Sequence, residues 1–238
     1  MTTVPSPDPA LIDKLVVANR ILYDQGVVDG FGHVSVRHDQ SPAHFLLARN
    51  MAPALVHRED IVTFDLDGTA LDANGRRVYL ERFIHGEIYR ARPDVHAVVH
   101  SPSPSVIPFG VTRQPLRPVF HMSGFLGQGT ALFDIRDTAG DTDMLISSGQ
   151  LGKALAASLG ARSTVLMRGH GSTVVAPTLR VAVYRAVYTE INARLLADAM
   201  RLGPVELLTA EEAKAAMTTN EGQIDRPWEF WKMRARRA

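Results

Sequence analysis

The sequence predicts one α/β domain, in which helices cover a mixed, mainly antiparallel β-sheet. Short strand-like runs alternate with amphipathic helical segments along the 238 residues. The chain shows no internal repeat and no low-complexity linker that would mark a domain boundary. With 45% apolar residues, it is long enough to bury a large core without covalent cross-links. We therefore treat residues 1–238 as a single domain.

The first half of the chain predicts a helix, a meander of strands and a second helix. The first helix begins near Asp8-Pro9, an N-cap followed by proline at the first helical position, and ends before Gly26. The turn dipeptide Asp67-Gly68 closes the third strand. The predicted elements after the first helix are strands at 33–37, 45–48 and 61–66, a helix at 81–91 and a strand at 95–100.

The second half begins with a proline-broken segment, 101–118, for which no element is predicted. Gly160 closes a predicted helix, and Thr209-Ala-Glu-Glu212 is a capping box that opens the last one. Residues 218–238, with Trp228 and Trp231, show no periodicity and are expected to form a C-terminal tail. The predicted elements between these limits are strands at 144–147 and 164–167, helices at 150–159 and 178–200, and a helix from 209.

Composition excludes several classes of function. The chain has no cysteine, which rules out disulfides, thiolate metal sites and cysteine nucleophiles. A net charge of +1 gives no long-range field to attract nucleic acid, and the short basic cluster 232–237 reads as a solvated tail. The first residues lack the features of a signal peptide, and no run is long enough to span a membrane. We expect a cytoplasmic protein that binds neither nucleic acid nor membranes.

Three residues form a candidate metal site. Of the nine histidines, His100 and His170 each end an apolar strand beside proline or glycine, where a scaffold presents a side chain at a sheet edge. Glu81 opens a helix. Two imidazoles and one carboxylate suit a divalent transition metal with open positions for substrate. The alternatives are an incidental histidine at a strand-end turn, and a glutamate placed to favour the helix dipole.

Three motifs resemble those of the class II aldolase/adducin family in order and spacing. They are Leu80-Glu-Arg-Phe-Ile-His85, Tyr89-Arg-Ala-Arg-Pro-Asp-Val-His-Ala-Val-Val-His100 and Leu166-Met-Arg-Gly-His-Gly171. The resemblance implies a three-layer α/β/α domain, a divalent metal that is usually zinc, and a homotetramer with active sites where subunits meet. It implies that Glu81, His100 and His170 surround the metal, with Glu81 as ligand or as catalytic acid/base.

The chain departs from the family pattern at Pro102, where a second histidine of a His-x-His pair is expected. Three outcomes follow: Glu81 is a true ligand, another histidine is recruited, with His121 as our candidate, or no metal binds. The first outcome leaves a set of two histidines and one carboxylate, which also suits iron or manganese.

Further motifs, among them Phe31-Gly-His-Val-Ser-Val-Arg37, resemble the branch that decarboxylates hydroxylated aromatic or pyridine dicarboxylates, such as dihydroxyphthalate decarboxylases. We therefore expect a metal-dependent decarboxylase acting on a small carboxylate. The alternatives are a retro-aldolase on a small hydroxy-carbonyl compound, a non-heme iron oxygenase and a non-catalytic adducin-like binding protein.

The remaining candidates are residues that would contact the substrate. Arg168, two residues before His170, would share its face along a strand and pair with a substrate carboxylate, or else form an inter-subunit salt bridge. His121 and Ser101 are further substrate-binding candidates. Tyr184 and Tyr188 are candidates for returning a proton, although their place on the apolar stripe of a long helix also fits core packing.

Overall fold

The computed structural model describes residues 4–112 and 114–235, and its centre is a seven-stranded sheet. The strands lie in the order β3-β2-β1-β4-β7-β6-β5. Neighbouring strands are antiparallel except for the parallel pair β5–β6. The predicted mixed, mainly antiparallel sheet is confirmed. The strands are β1 His33–Arg37, β2 His44–Ala48, β3 Ile61–Asp65, β4 Ala97–Ser101, β5 Ala131–Phe133, β6 Thr164–Met167 and β7 Gly171–Ala176.

Helices cover both faces of this sheet. The α-helices are α1 Pro9–Asp24, α2 Arg82–Ala91, α3 Ile107–Val111, α4 Arg136–Ala139, α5 Gly149–Leu159, α6 Leu179–Leu202, α7 Ala210–Glu221 and α8 Asp225–Ala235. Helices α1, α6 and α8 pack on one another, and α1 and α6 contact the sheet at β1, β4 and β7. Helices α2 and α5 pack together on the other face. The expected three-layer α/β/α architecture is confirmed.

The helix boundaries follow the capping chemistry of the sequence. The Asp8 side chain accepts a hydrogen bond from the Ala10 N–H at 2.9 Å, directly before Pro9. Thr178 caps α6 through the Val181 N–H, and Thr209 with Glu212 forms the predicted capping box of α7. None of the helices in the described part of the chain is long and apolar enough to cross a membrane.

Residues 144–147, predicted as a strand, belong to no strand. Met144 has a φ of +66°, and the side chains of Thr142 and Asp143 accept the Met144 and Leu145 N–H groups. The Ile146 N–H donates to Glu81 instead of to a neighbouring strand. Local side-chain hydrogen bonds therefore replace strand pairing here.

Two strands, β5 and β7, and three helices, α3, α4 and α8, were not predicted. β5 has three residues, and β7 is buried along its whole length, so neither shows the alternation of a half-exposed strand. Instead of an irregular tail from residue 218, α7 continues to Glu221 and α8 spans Asp225–Ala235. Trp228 and Trp231 of α8 are buried on one side of the helix, because residues three apart share a face.

A candidate metal centre at one end of the sheet

The predicted metal-site residues come together at one end of the central strands. His100 lies in β4, Glu81 directly precedes α2, and His170 lies in the turn between β6 and β7. The Glu81 Oε2 atom is 3.5 Å from His100 Nε2 and 3.4 Å from His170 Nε2. We refer to these three residues as the Glu81 cluster. All three side chains are largely shielded from solvent.

Hydrogen bonds outside the Glu81 cluster orient each of its side chains. The second carboxylate oxygen of Glu81, Oε1, accepts the Ile146 N–H at 3.0 Å. His170 Nδ1 donates to the Met144 carbonyl at 2.9 Å, so Nδ1 carries a proton and Nε2 faces Glu81. His100 Nδ1 lies 3.3 Å from Thr173 Oγ1, so its Nε2 faces Glu81 in the same way. Such outer contacts fix the tautomer of metal-binding histidines.

A close approach of two strands sets the position of His170. Gly171 follows it with a φ of +144°, and a Cβ atom there would lie 2.1 Å from the Ser101 carbonyl oxygen. Only glycine lets the start of β7 come this near to the end of β4. The Gly-His-Gly arrangement therefore brings His170 against His100, with ring centroids 4.9 Å apart.

The electrostatics of the Glu81 cluster favour positive charge. Burial alone would raise the pKa of Glu81, but His100 and His170 more than offset this and hold it far below its usual range. Burial likewise opposes protonation of His170, yet its hydrogen bond to Glu81 raises its pKa above the ordinary value. A site that stabilises a carboxylate and an imidazolium in this way also favours a bound cation.

A fourth residue, His33, was not singled out by the sequence analysis. It begins β1, where it pairs directly with His100 across the two strands. One ligand atom each of His33, Glu81 and His100 lie within 4.8 Å of one another. The signal in the sequence was a histidine after glycine at a strand end, the same pattern that marked His170.

His33 is held by a buried chain of hydrogen bonds. Its Nδ1 is 2.7 Å from His85 Nε2, and His85 Nδ1 is 2.6 Å from Ser35 Oγ. Ser35 Oγ is in turn 2.8 Å from the Tyr89 hydroxyl. Burial, together with the nearby His100, lowers the pKa of His33 to about 3, and burial also lowers that of His85. Both imidazoles are therefore neutral.

A cavity of about 630 Å³ opens beside these groups. Apolar side chains form much of its wall, and no arginine or lysine lines it in the described part of the chain. A bound carboxylate would thus find no cationic side chain of the same chain inside the cavity. The lining residues besides Glu81, His33, His100 and His170 are Asp29, Gly30, Phe31, Gly32, Asn50, Met51, Ala52, Tyr79, Leu80, Pro102 and Leu145.

The donor set fits a divalent transition metal. Two imidazole Nε2 atoms lie beside one carboxylate oxygen, and each imidazole has its other nitrogen engaged outside the cluster. Histidine and carboxylate ligands suit zinc, manganese and iron alike. The residues therefore fit a metal without identifying which one.

Sequence and structure comparisons identify the family. Residues 13–197 match the family model of the class II aldolase and adducin N-terminal domain. The chain belongs to the class II aldolase/adducin family. Decarboxylase tropJ of Talaromyces stipitatus is 35% identical over 235 residues, covering 89% of this chain and 88% of that protein. The 3,4-dihydroxyphthalate decarboxylase of Rhodococcus jostii is 34% identical over 194 residues, covering 76% and 78%.

The fold is shared with a solved aldolase II superfamily protein from Pseudomonas syringae. The TM-score is 0.80 at 20% identity, over 98% of this chain and 95% of that one. The predicted resemblance, including its decarboxylase branch, is confirmed. The expectation of a carbon–carbon lyase is confirmed as well, because the relatives are decarboxylases and aldolases.

Within this family fold, Ser101 and Arg168 lie outside the cavity lining. Ser101 alternates with His100 along β4, and its Oγ is 2.8 Å from Ser103 Oγ. Arg168 does not extend a strand as expected, because β6 ends at Met167 and residues 168–170 form a turn. Its Nε lies 2.9 Å from an Asp134 carboxylate oxygen.

The other three candidates, His121, Tyr184 and Tyr188, make their contacts elsewhere in the chain. His121 is exposed, and its carbonyl accepts a hydrogen bond from Asn220. The Tyr184 hydroxyl donates to the Met122 carbonyl at 2.7 Å. Tyr188 packs on Tyr184 with ring centroids 4.7 Å apart. Within its own chain, none of the three lines the cavity, so the recruitment of His121 as a ligand is not supported.

Proposed function

We propose that this chain is a metal-dependent decarboxylase of a hydroxylated aromatic or pyridine carboxylate or dicarboxylate. The observation that carries the proposal is the Glu81 cluster, a metal-compatible donor set beside an open cavity. The names of the relatives support the reaction type, since tropJ is a decarboxylase and the Rhodococcus protein acts on 3,4-dihydroxyphthalate.

A divalent ion bound there would supply a Lewis acid that stabilises the negative charge left when carbon dioxide departs. The residues of the chain orient the site and form part of its wall. Glu81 is held by the Ile146 N–H, and His170 by the Met144 carbonyl. Met51 and Leu145 contribute apolar wall, which limits water around the developing charge.

The lack of lysine and arginine in the cavity lining supports the role of a metal. A substrate carboxylate needs a countercharge to enter a partly buried site. Within the described residues, the cavity offers histidines but no permanent side-chain cation. The countercharge that the substrate needs is therefore assigned to the metal.

The test is a decarboxylation assay on apoprotein reconstituted with Zn²⁺, Mn²⁺ or Fe²⁺. We expect carbon dioxide release from a hydroxylated aromatic dicarboxylate such as 3,4-dihydroxyphthalate, and loss of this activity on chelation. His170→Ala should abolish both metal binding and activity, whereas His96→Ala, at an exposed position, should change neither. Cleavage of a hydroxy-carbonyl compound without carbon dioxide, or stoichiometric oxygen uptake, would replace this proposal by the aldolase or oxygenase alternative.

A further inference from the structure

His33 is placed as a ligand would be. It pairs with His100 across β1 and β4, so both side chains lie on the same face of the sheet. Their ring centroids are 5.0 Å apart. His33 also lines the cavity, although only 4% of its surface is exposed. The side chain therefore contributes to the cavity wall while being fixed from behind.

The buried chain behind His33 determines which of its nitrogens is free. His33 Nδ1 is engaged with His85 Nε2, and His85 Nδ1 with Ser35 Oγ. When His33 Nδ1 donates, His85 donates onward to Ser35, and the lone pair of His33 Nε2 is left for a ligand. An imidazole whose second N–H is bound to a buried partner has the usual arrangement of a metal-binding histidine.

Pro102, where the family pattern expects a histidine, offers no donor atom. It follows Ser101 at the end of β4 and lines the same cavity. The Glu81 cluster alone provides three ligands. A third imidazole from β1 would complete a four-ligand set without any contribution from position 102.

We propose that His33 Nε2 is a direct ligand of the metal, together with Glu81, His100 and His170, and that His85 is its positioning residue. The inference rests on the proposed metal dependence and extends it to a residue outside the three predicted ligands. The His33 ligand would be delivered by β1, a strand that contributes none of the other three.

The first experiment uses the wild-type protein. Apoprotein labelled with ¹⁵N at histidine is titrated with Zn²⁺, and the imidazole nitrogens are followed by NMR. We expect three Nε2 resonances to shift to metal-bound positions, those of His33, His100 and His170, with a protonated Nδ1 on each. Two metal-bound imidazoles, with His33 Nε2 unaffected, would overturn the inference without any variant having to fold.

The second experiment measures zinc affinity by competition with a chelator. His33→Asn retains an N–H that reaches toward His85 but lacks a ligand at the Nε2 position, so we expect affinity to fall by at least about tenfold. The matched control is His96→Asn, at an exposed histidine, which should leave affinity unchanged. An unchanged affinity in His33→Asn contradicts the proposal.

A rescue experiment distinguishes a ligand role of His33 from a purely structural one. Pro102→His places an imidazole two residues after His100, on the same side of the strand end. In the His33→Asn background it should restore most of the lost zinc affinity, and failure to restore it counts against a missing ligand as the cause.

The role of His85 as a positioning residue has its own test. His85→Phe should lower zinc affinity by about tenfold, whereas His85→Gln, whose amide oxygen accepts the His33 N–H, should retain most of it.

These outcomes are distinct from failure of the proposed function. Zinc bound by three imidazoles without carbon dioxide release leaves this inference standing and overturns the decarboxylase. Carbon dioxide release with zinc bound by only two imidazoles supports the decarboxylase and overturns this inference.

Discussion

At the scale of single residues, Asp60 is a buried carboxylate that joins two loops. It accepts the His57 N–H at 2.9 Å and the Arg49 Nε–H at 2.7 Å, and only 6% of its surface is exposed. Burial alone would raise the pKa of Asp60, but these two donors more than offset that effect and lower it. The ionised carboxylate therefore stabilises the folded state.

We expect Asp60→Asn to lower the free energy of unfolding by about 1.5–3 kcal/mol at pH 7, the range of hydrogen bonds to charged groups. Because the folded pKa is depressed, this contribution is fully present above the ordinary pKa of 3.8 and is lost as the pH falls through the folded value. In urea unfolding, the difference in free energy of unfolding between the wild type and Asp60→Asn should be smaller at pH 3 than at pH 7. Asp141→Asn, at an exposed aspartate, is the control, and a gap that widens at low pH would contradict the assignment.

The site residues show which parts of a catalytic centre a sequence can reveal. Glu81, His100 and His170 were predictable because each lies within one residue of the end of a helix or strand, and their types suit a metal. His33 was missed because its closeness to His100 depends on the pairing of β1 with β4, between residues 67 positions apart. Strand pairing at this distance cannot be read from the sequence pattern. Arg168 was expected to share a face with His170 along a strand, but β6 ends at Met167 and Gly169 forms a turn with a φ of +65°.

At the scale of elements, the junction between β4 and β7 determines the site. A Cβ atom at Gly171 would meet the Ser101 carbonyl oxygen at 2.1 Å and the Pro102 Cα at 2.9 Å. Both contacts are to backbone, which cannot rotate away as a side chain can. β7 was not predicted because a fully buried strand lacks alternation, so the role of Gly171 in strand approach was also hidden.

Gly171→Ala should push the ends of β4 and β7 apart. We expect a loss of about 2 kcal/mol in the free energy of unfolding, from the strained φ alone, and a loss of zinc binding as His170 moves. Gly149→Ala, at the first position of α5 where a Cβ meets only Glu87 at 3.6 Å, should be neutral or slightly stabilising. Calorimetry with zinc titration checks both, and intact zinc binding in Gly171→Ala would show that the junction does not position His170.

At the scale of the whole molecule, the mouth of the cavity carries exposed apolar side chains. Phe31 is 78% exposed and Leu80 is 59% exposed, and both line the cavity. Large apolar groups at such a rim are typical of surfaces that another protein surface covers. The family resemblance implies a homotetramer with active sites between subunits.

We therefore predict a homotetramer whose contacts include this rim. Sedimentation equilibrium at micromolar concentration should give four times the 26.1 kDa chain mass. Phe31→Asp should shift the protein toward smaller species, because a carboxylate buried at an interface is costly. Leu202→Asp is the comparison, an exposed apolar side chain that does not line the cavity. A monomer in the wild type would contradict active sites shared between subunits.

The packing of α8 on α1 has a consequence for how the chain acquires its structure during synthesis. Arg234 of α8 pairs with Asp24 at the end of α1, a separation of 210 residues. Until the ribosome has released α8, the side of α1 that it covers stays exposed to water and to other nascent chains. Closing so long a loop is slow compared with forming a helix. Because α1 also packs on β1, the strand that carries His33, the layer that contains α1 is completed only by a helix synthesised much later.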